Sequence, residues 1–268
     1  LAEHFPPQET VENWFLATQL NQARAVRLGV EHFRSWSPRC AGTVVWQLND
    51  CWPVTSWAMV DGDGRRKPAW YALRAAYADR LLTIQPRAGG LAVVLVNDSD
   101  EPCATAVRVA RRSFDGTVLA EAMLDANVAA RATITLPVPG ELASPALAAT
   151  EVLSASADAT VDEAGIDRAL WYFVPDLDQS LPRADLDAHC EPIDGGYRVD
   201  VTARSFLRDL VLLADQVAPD ATVDTMLVTL FPGESTSFEV RTASDVDTAR
   251  LATPDILRSA NQLRRRSS

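Results

Sequence analysis

"GTVVWQLNDCWPVTSW", residues 42–57, places three tryptophans, an Asn-Asp pair and a cysteine directly after a short apolar run. An aromatic face beside amide and carboxylate groups suits a sugar: indole stacks on the apolar face of a pyranose while the polar groups hold its hydroxyls. The same residues also read as a cluster of bulky core side chains. Six of the seven tryptophans lie at or before Trp70, and only Trp171 falls in the remainder. So uneven a distribution implies two kinds of structure in one chain.

Outward from this stretch, residues 9–36, "ETVENWFLATQLNQARAVRLGVEHFRSW", have helical spacing through Phe15, Leu20, Ala23, Val30 and Phe33, with Thr10 as N-cap. Pro38 and Gly42 break the pattern, and "TVVWQL" (43–48) reads as a compact buried strand. "KPAWYALRAAYADRLL" (67–82) predicts a second helix with Pro68 in its first turn, where proline is tolerated. Helix, strand, long loop and helix together form a piece of an α/β repeat. In a (β/α)8 barrel the C-terminal strand ends and the loops after them line the active site.

Beyond residue 82 the pattern changes to short β-rich runs, "LAVVLVNDSDEP", "CATAVRVARRSFDGTVL", "ARATITLPVP" and "RALWYFVP", separated by turn signals. That is how an antiparallel sandwich reads. "DLDQSLPRADL" (176–186) has the composition of a linker, and a smaller β block follows it. The expected fold is an α/β fragment followed by two all-β immunoglobulin-like sandwich domains. Its boundaries are a barrel segment at 1–82, sandwiches at 83–178 and 179–250, and a tail at 251–268.

Of the residues, 47% are apolar and 23% charged, the balance of a globular protein. Net charge is +1 over residues 1–80 and −12 over the rest, −11 in all. An acidic surface of that size repels nucleic acid and anionic lipid, so neither is expected as a partner. No apolar run is long enough for a membrane helix. The start, "LAEHFPPQET", has neither a Met nor a signal-peptide pattern, and reads as a fragment or a processed chain. Cys40, Cys51, Cys103 and Cys190 lack metal or redox spacing; buried free thiols and a cytoplasmic origin are expected.

Three other motifs have simpler readings. "DGDGRRK" (61–67) has calcium-loop spacing only at Asp61 and Asp63, and reads as a tight polar turn. "NDS" (97–99) matches a glycosylation sequon but is expected to be a turn. His4, His32 and His189 have no nucleophile in a recognisable context.

Residues 42–74 closely resemble the last barrel strand, loop and helix of β-mannosidases of glycoside hydrolase family 2. The agreement runs through Trp46, Gln47, Leu48, Asn49, Asp50, Trp52, Pro53, Ser56, Trp57, Asp61, Gly64, Lys67 and Tyr71. The resemblance implies the end of a (β/α)8 barrel followed by two sandwiches. It implies Trp46 at the floor of the −1 subsite, Trp52 as a wall, and Asn49 and Asp50 either touching hydroxyls or holding the loop. For Trp52, too, a loop-stabilising role stays open, and Trp57 and Trp70 read as packing.

The family is one of retaining hydrolases that use two glutamates about 5–5.5 Å apart. Both family motifs carrying those glutamates lie upstream of the matched region, and neither occurs here. Glu3, Glu9, Glu12 and Glu31 sit in a leader or on a helix. No catalytic residue, metal or cofactor is therefore assigned to this chain, which is expected to be inactive alone. Its expected partners are the upstream barrel segment and a β-mannoside oligosaccharide. Two alternatives stand beside this: a non-catalytic carbohydrate-binding or interaction module, and a related family 2 exo-β-glucosaminidase.

Overall fold

The computed structural model describes residues 1–157, 166 and 168–264. Two helices open the chain, α1 (Val11–Arg34) and α2 (Pro68–Ala76). Thr10 caps α1, its Oγ1 accepting from Asn13 N at 3.2 Å. The buried positions Leu16, Ala17, Leu20, Ala23, Val30 and Arg34 fall on one helical stripe. No helix among the described residues is long and apolar enough to cross a membrane.

The chain divides into two compact units, neither of them continuous in sequence. The central unit combines Ala25–Val44 with Leu73–Ser180, and the terminal unit combines Leu1–Arg24, Val45–Ala72 and the chain from Leu181 onward. The expected boundary at residue 82 is corrected accordingly, since residues 1–82 are shared between the two units. The physical reason is that neither half of this segment buries its apolar face alone; each half uses a sandwich.

The central unit is a sandwich of β1 (Arg80–Arg87), β2 (Gly90–Asn97), β3 (Cys103–Ser113), β4 (Val118–Val128), β5 (Ala132–Pro137), β6 (Glu151–Ala157) and β7 (Ala169–Tyr172). Its antiparallel sheets run β1-β2-β5 and β4-β3-β6-β7. Val93 and Leu95 of β2 face the core with Leu82, Val107, Val109 and Leu153. Val94 and Val96 face the other way and are equally buried. A strand covered on both faces reads as an unbroken apolar run, which is why "LAVVLV" does not alternate.

That second face carries polar groups from β1, matched by the last turns of α1. Thr83 Oγ1 donates to Glu31 Oε2 at 2.7 Å, and Gln85 Nε2 donates to Thr83 Oγ1 at 3.0 Å. The second helix, expected to reach residue 82, stops at Ala76 because β1 claims residues 80–82 for its ladder with β2. Arg34 closes the junction, donating to Ala76 O, Ala78 O and Asp98 Oδ2. Asn97 of the sequon is fully buried and organises a turn, its Nδ2 donating to Glu101 O and Ala129 O.

The terminal unit holds β8 (Leu186–Ile193), β9 (Gly196–Ala203), β10 (Leu207–Leu212), β11 (Thr222–Val223), β12 (Val228–Leu230), β13 (Ser235–Arg241) and β14 (Leu257–Arg258). Its sheets run β11-β13-β9-β8 and β12-β10-β14. Gly196 opens β9 against the carbonyl of Val240, which a Cβ there would meet at 1.9 Å. Leu207, Leu210 and Leu212 of β10 face the sandwich core with Val199, Val201 and Phe238. Val211 and Leu213 face outward, where Phe5, Leu16, Ala17 and Leu20 cover them.

Three expectations are corrected here. Residues 251–264 are not a tail: Leu251, Ile256, Leu257, Ala260 and Leu263 are buried, and Leu257 pairs with Leu212. Residues 265–268 lie outside the described residues. None of the four cysteines is in a disulfide, but only Cys103 is buried; Cys51 is exposed and Cys40 and Cys190 are half-buried. Finally, residues 43–48 form no strand, with Val44 almost fully exposed. A strand exists by its ladder, and among the described residues 43–48 joins none: its backbone is tied to residues 59–60 only at Gln47 and Leu48.

Candidate functional site

What does form here is a closed loop, residues 48–60. Its ends are tied by Val60 N to Leu48 O at 2.9 Å, Met59 N to Leu48 O at 3.1 Å and Asp50 N to Val60 O at 3.0 Å. A compact surface loop with joined ends is a familiar carrier of function. The Trp46–Gln47 peptide at its entry is cis.

Inside the loop, Asp50 is only 7% exposed and its carboxylate is fully engaged. Ser56 Oγ donates to Asp50 Oδ2 at 2.6 Å, and Gln47 Nε2 approaches Asp50 Oδ1 at 3.4 Å. Ser56 Oγ in turn accepts from Ala58 N at 3.0 Å. A buried carboxylate is costly unless its oxygens are paired, and these bonds pair them. Asn49 is exposed, with Nδ2 donating to Asp50 O at 3.1 Å and its carbonyl accepting from Gln47 Nε2.

The indoles have the opposite character. Trp46 is 72% exposed, Trp52 63% and Trp57 61%. The packing role expected of Trp57 is corrected: its carbonyl is held by Gln22 Nε2 at 2.6 Å while its ring stays in the open. Trp70 is half-buried, stacked edge-on against Tyr71 with the Arg66 guanidinium 4.3 Å above its ring. Of the four predicted binding residues, then, Trp46, Asn49 and Trp52 are accessible, and Asp50 holds the loop from within.

The turn after the loop is built on Asp61. Its Oδ1 accepts from Asp63 N and Arg65 N, and its Oδ2 from Arg65 Nε at 2.8 Å. Burial pushes the Asp61 carboxyl up, but the Arg65 N–H, the Arg65 guanidinium and the Asp63 N–H outweigh it and hold the carboxyl below its ordinary range. Arg65 also binds Asp63, and its own pKa is raised, chiefly by the bond to Asp61. Nearby Asp215 is displaced upward by burial, which its own backbone N–H and the Arg65 charge only partly offset.

The loop sets open indoles beside the amide of Asn49, groups suited to recognition. Residues 45–67 contain no Glu, and their carboxylates Asp50, Asp61 and Asp63 are committed to Ser56 and Arg65. Glu31 is bound to Arg27 and Thr83. No cluster of metal-binding side chains occurs among the described residues. Sequence reading did not single out Gln22 or Gly62 as loop supports, because their contacts depend on chain proximity that spacing does not reveal.

No family model matches the chain. It is 41% identical over 76 residues to β-mannosidase B of Aspergillus niger, a match covering 27% of this chain and 9% of that enzyme. The corresponding enzyme of Aspergillus terreus matches to the same extent. Among solved structures, a β-D-mannosidase from Dictyoglomus thermophilum superposes with a TM-score of 0.79 at 25% identity, covering 91% of this chain and 30% of that one. The exo-chitosanase CsxA of Amycolatopsis orientalis has a TM-score of 0.64 at 19% identity over 90% of this chain and 33% of its own, a likeness of fold. The chain thus spans about a third of the length of these solved enzymes and far less of the fungal ones in aligned sequence.

Proposed function

We propose that this chain, a C-terminal part of a β-mannosidase of glycoside hydrolase family 2, supplies one wall of that enzyme's sugar subsite and the sandwiches that support it. The whole protein would be a retaining exo-β-mannosidase, removing terminal β-D-mannose from oligosaccharides. Its two catalytic glutamates would come from upstream polypeptide: one would protonate the leaving oxygen, and the other would form and then release a glycosyl-enzyme.

The observation that carries this reading is the pairing of bare indoles with a sealed polar core in one loop. Trp46 and Trp52 offer open aromatic faces, and the buried Asp50–Ser56 bond keeps in shape the loop that follows Trp46 and bears Trp52. Open tryptophan is costly in water unless something covers it. The remaining barrel supplies a cover for Val44, Trp46 and the exposed Trp14 and Phe15 of α1, and strands flanking 43–48 would give that segment its ladder. Four cysteines outside any disulfide fit a reducing compartment such as the cytoplasm.

The test is hydrolysis of a chromogenic aryl β-mannoside, with an aryl β-glucosaminide alongside. The 268-residue chain is expected to be inert, and the same chain joined to the upstream polypeptide of its reading frame is expected to cleave the mannoside. Turnover by the chain alone would refute the division of labour. Cleavage of the glucosaminide in preference would move the specificity to the other branch.

A further inference from the structure

We propose that Gly62 is a positioning residue for Trp52, setting where the indole stands at the rim of the loop. This deepens the reading above and rests on it for its kinetic consequence. A Cβ at Gly62 would lie 2.5 Å from both the carbonyl carbon and the oxygen of Trp52, and 2.9 Å from Pro53 N. Those are backbone atoms, which cannot rotate aside as a flexible side chain can. The backbone at Gly62 lies outside the left-handed region, so glycine is required there for space and not for conformational freedom.

The rest of the loop shows why this contact matters at Trp52. Its far side is anchored by hydrogen bonds: Ser56 Oγ to Asp50 Oδ2, Lys67 Nζ to Ser56 O at 3.2 Å, and Gln22 Nε2 to Trp57 O. Trp52–Pro53 instead rests directly on Gly62, whose neighbour Asp61 is locked by Arg65. Support is therefore rigid from below, and an added methyl group must lift the Trp52 backbone rather than sink into the turn. Ordinary contact begins at 3.4 Å, so the displacement approaches 1 Å. A pocket wall displaced on that scale loses contact with ground state and transition state alike, which raises KM and spares kcat.

Gly64, two residues on, is a matched control. It has φ +84 with nothing within 4 Å of its Cβ position, so Gly64→Ala strains the turn without touching Trp52. The experiment compares Gly62→Ala and Gly64→Ala, each with and without Trp52→Phe. In the chain itself, the Trp52 contribution to fluorescence, taken as the difference on Trp52→Phe, should change in emission maximum and quenching in the Gly62→Ala background only. In the chain joined to its upstream polypeptide, Gly62→Ala should raise KM for the aryl β-mannoside about tenfold. In that variant kcat should stay within about twofold of wild type, and Gly64→Ala should leave KM unchanged.

A Trp52 signal identical in wild type and Gly62→Ala overturns the proposal, as does an unaltered KM in an active enzyme. Wild-type protein that cleaves no β-mannoside refutes the function instead, and the fluorescence comparison then decides the role of Gly62 by itself.

Discussion

Arg24 Nε donates to Asp209 Oδ2 at 2.8 Å, and Asp209 holds a left-handed backbone, φ +52, to receive it. The residue sits at a shift of register between β10 and β12, where one extra residue on β10 turns its side chain out of the ladder. Left-handed backbone is unfavourable for most L-residues, with Asp and Asn tolerating it best. Both partners are largely buried, at 19% and 17% exposure. Asp209→Ala should therefore destabilise by about 3 kcal/mol, since it removes the carboxylate from a largely buried ion pair and worsens the backbone fit. Asp209→Asn and Asp209→Gly should lose less, and urea unfolding of the three variants checks the order.

Trp46→Ala offers the opposite expectation. A tryptophan in a core costs about 3–5 kcal/mol on truncation, but this one is mostly open. In the isolated chain the change should shift unfolding free energy by no more than about 0.5 kcal/mol. Phe238→Ala, at a fully buried position, should cost several times as much. A loss above 2 kcal/mol at Trp46 would mean that the indole is packed in solution, and the aromatic platform would be abandoned.

Asp220 gives a pH dependence whose sign follows from its partners. Its carboxylate accepts from Ser244 Oγ, Ala243 N and Thr242 Oγ1, each at 2.8 Å. These bonds hold its pKa down to about 2, below the ordinary 3.8. The folded state thus favours the charged form, and the stabilisation is complete above pH 3.8 and disappears as pH falls toward 2. The difference in Tm between wild type and Asp220→Asn should shrink across that window. A constant difference from pH 5 to 2 would show that these bonds do not distinguish the charged carboxylate.

Arg34 should be intolerant of conservative change. Its guanidinium is buried and serves two carbonyls, Ala76 O and Ala78 O, together with Asp98. Lysine offers a single point of donation without the planar fork. Arg34→Lys should lower stability by about 1–2 kcal/mol, and Arg34→Met by about 2–3 as the carbonyls lose their donor. Thermal unfolding of the isolated chain measures both.

Much of the secondary structure was legible from residue order. The Thr10 cap and the spacing through Phe15, Leu20, Ala23, Val30 and Phe33 predict α1, although Phe15 and Phe33 prove to lie off its buried stripe, and the β-rich runs at 91–102 and 103–119 predict β2 and β3. Other elements were not, because their state depends on neighbours. β1 was hidden in a helix-like run, since "RLLTIQ" has no period until α1 covers one face and the sandwich core the other. The last residues passed for a tail because Leu257 and Leu263 show their burial only once β10 and α1 are beside them.

The candidate site divides in the same way. Its residue types stand in the sequence: three indoles, an Asn-Asp pair and a serine at short spacing are a local pattern, and so is the family resemblance they carry. Only tertiary structure decided that Asp50 turns inward while Trp46 and Trp52 stay open, and that Gly62 lies under Trp52. Local order determines which groups are near one another along the chain, and with them the chemistry on offer. Whether a given side chain is buried or free depends on contacts between segments far apart in sequence, which residue spacing does not encode.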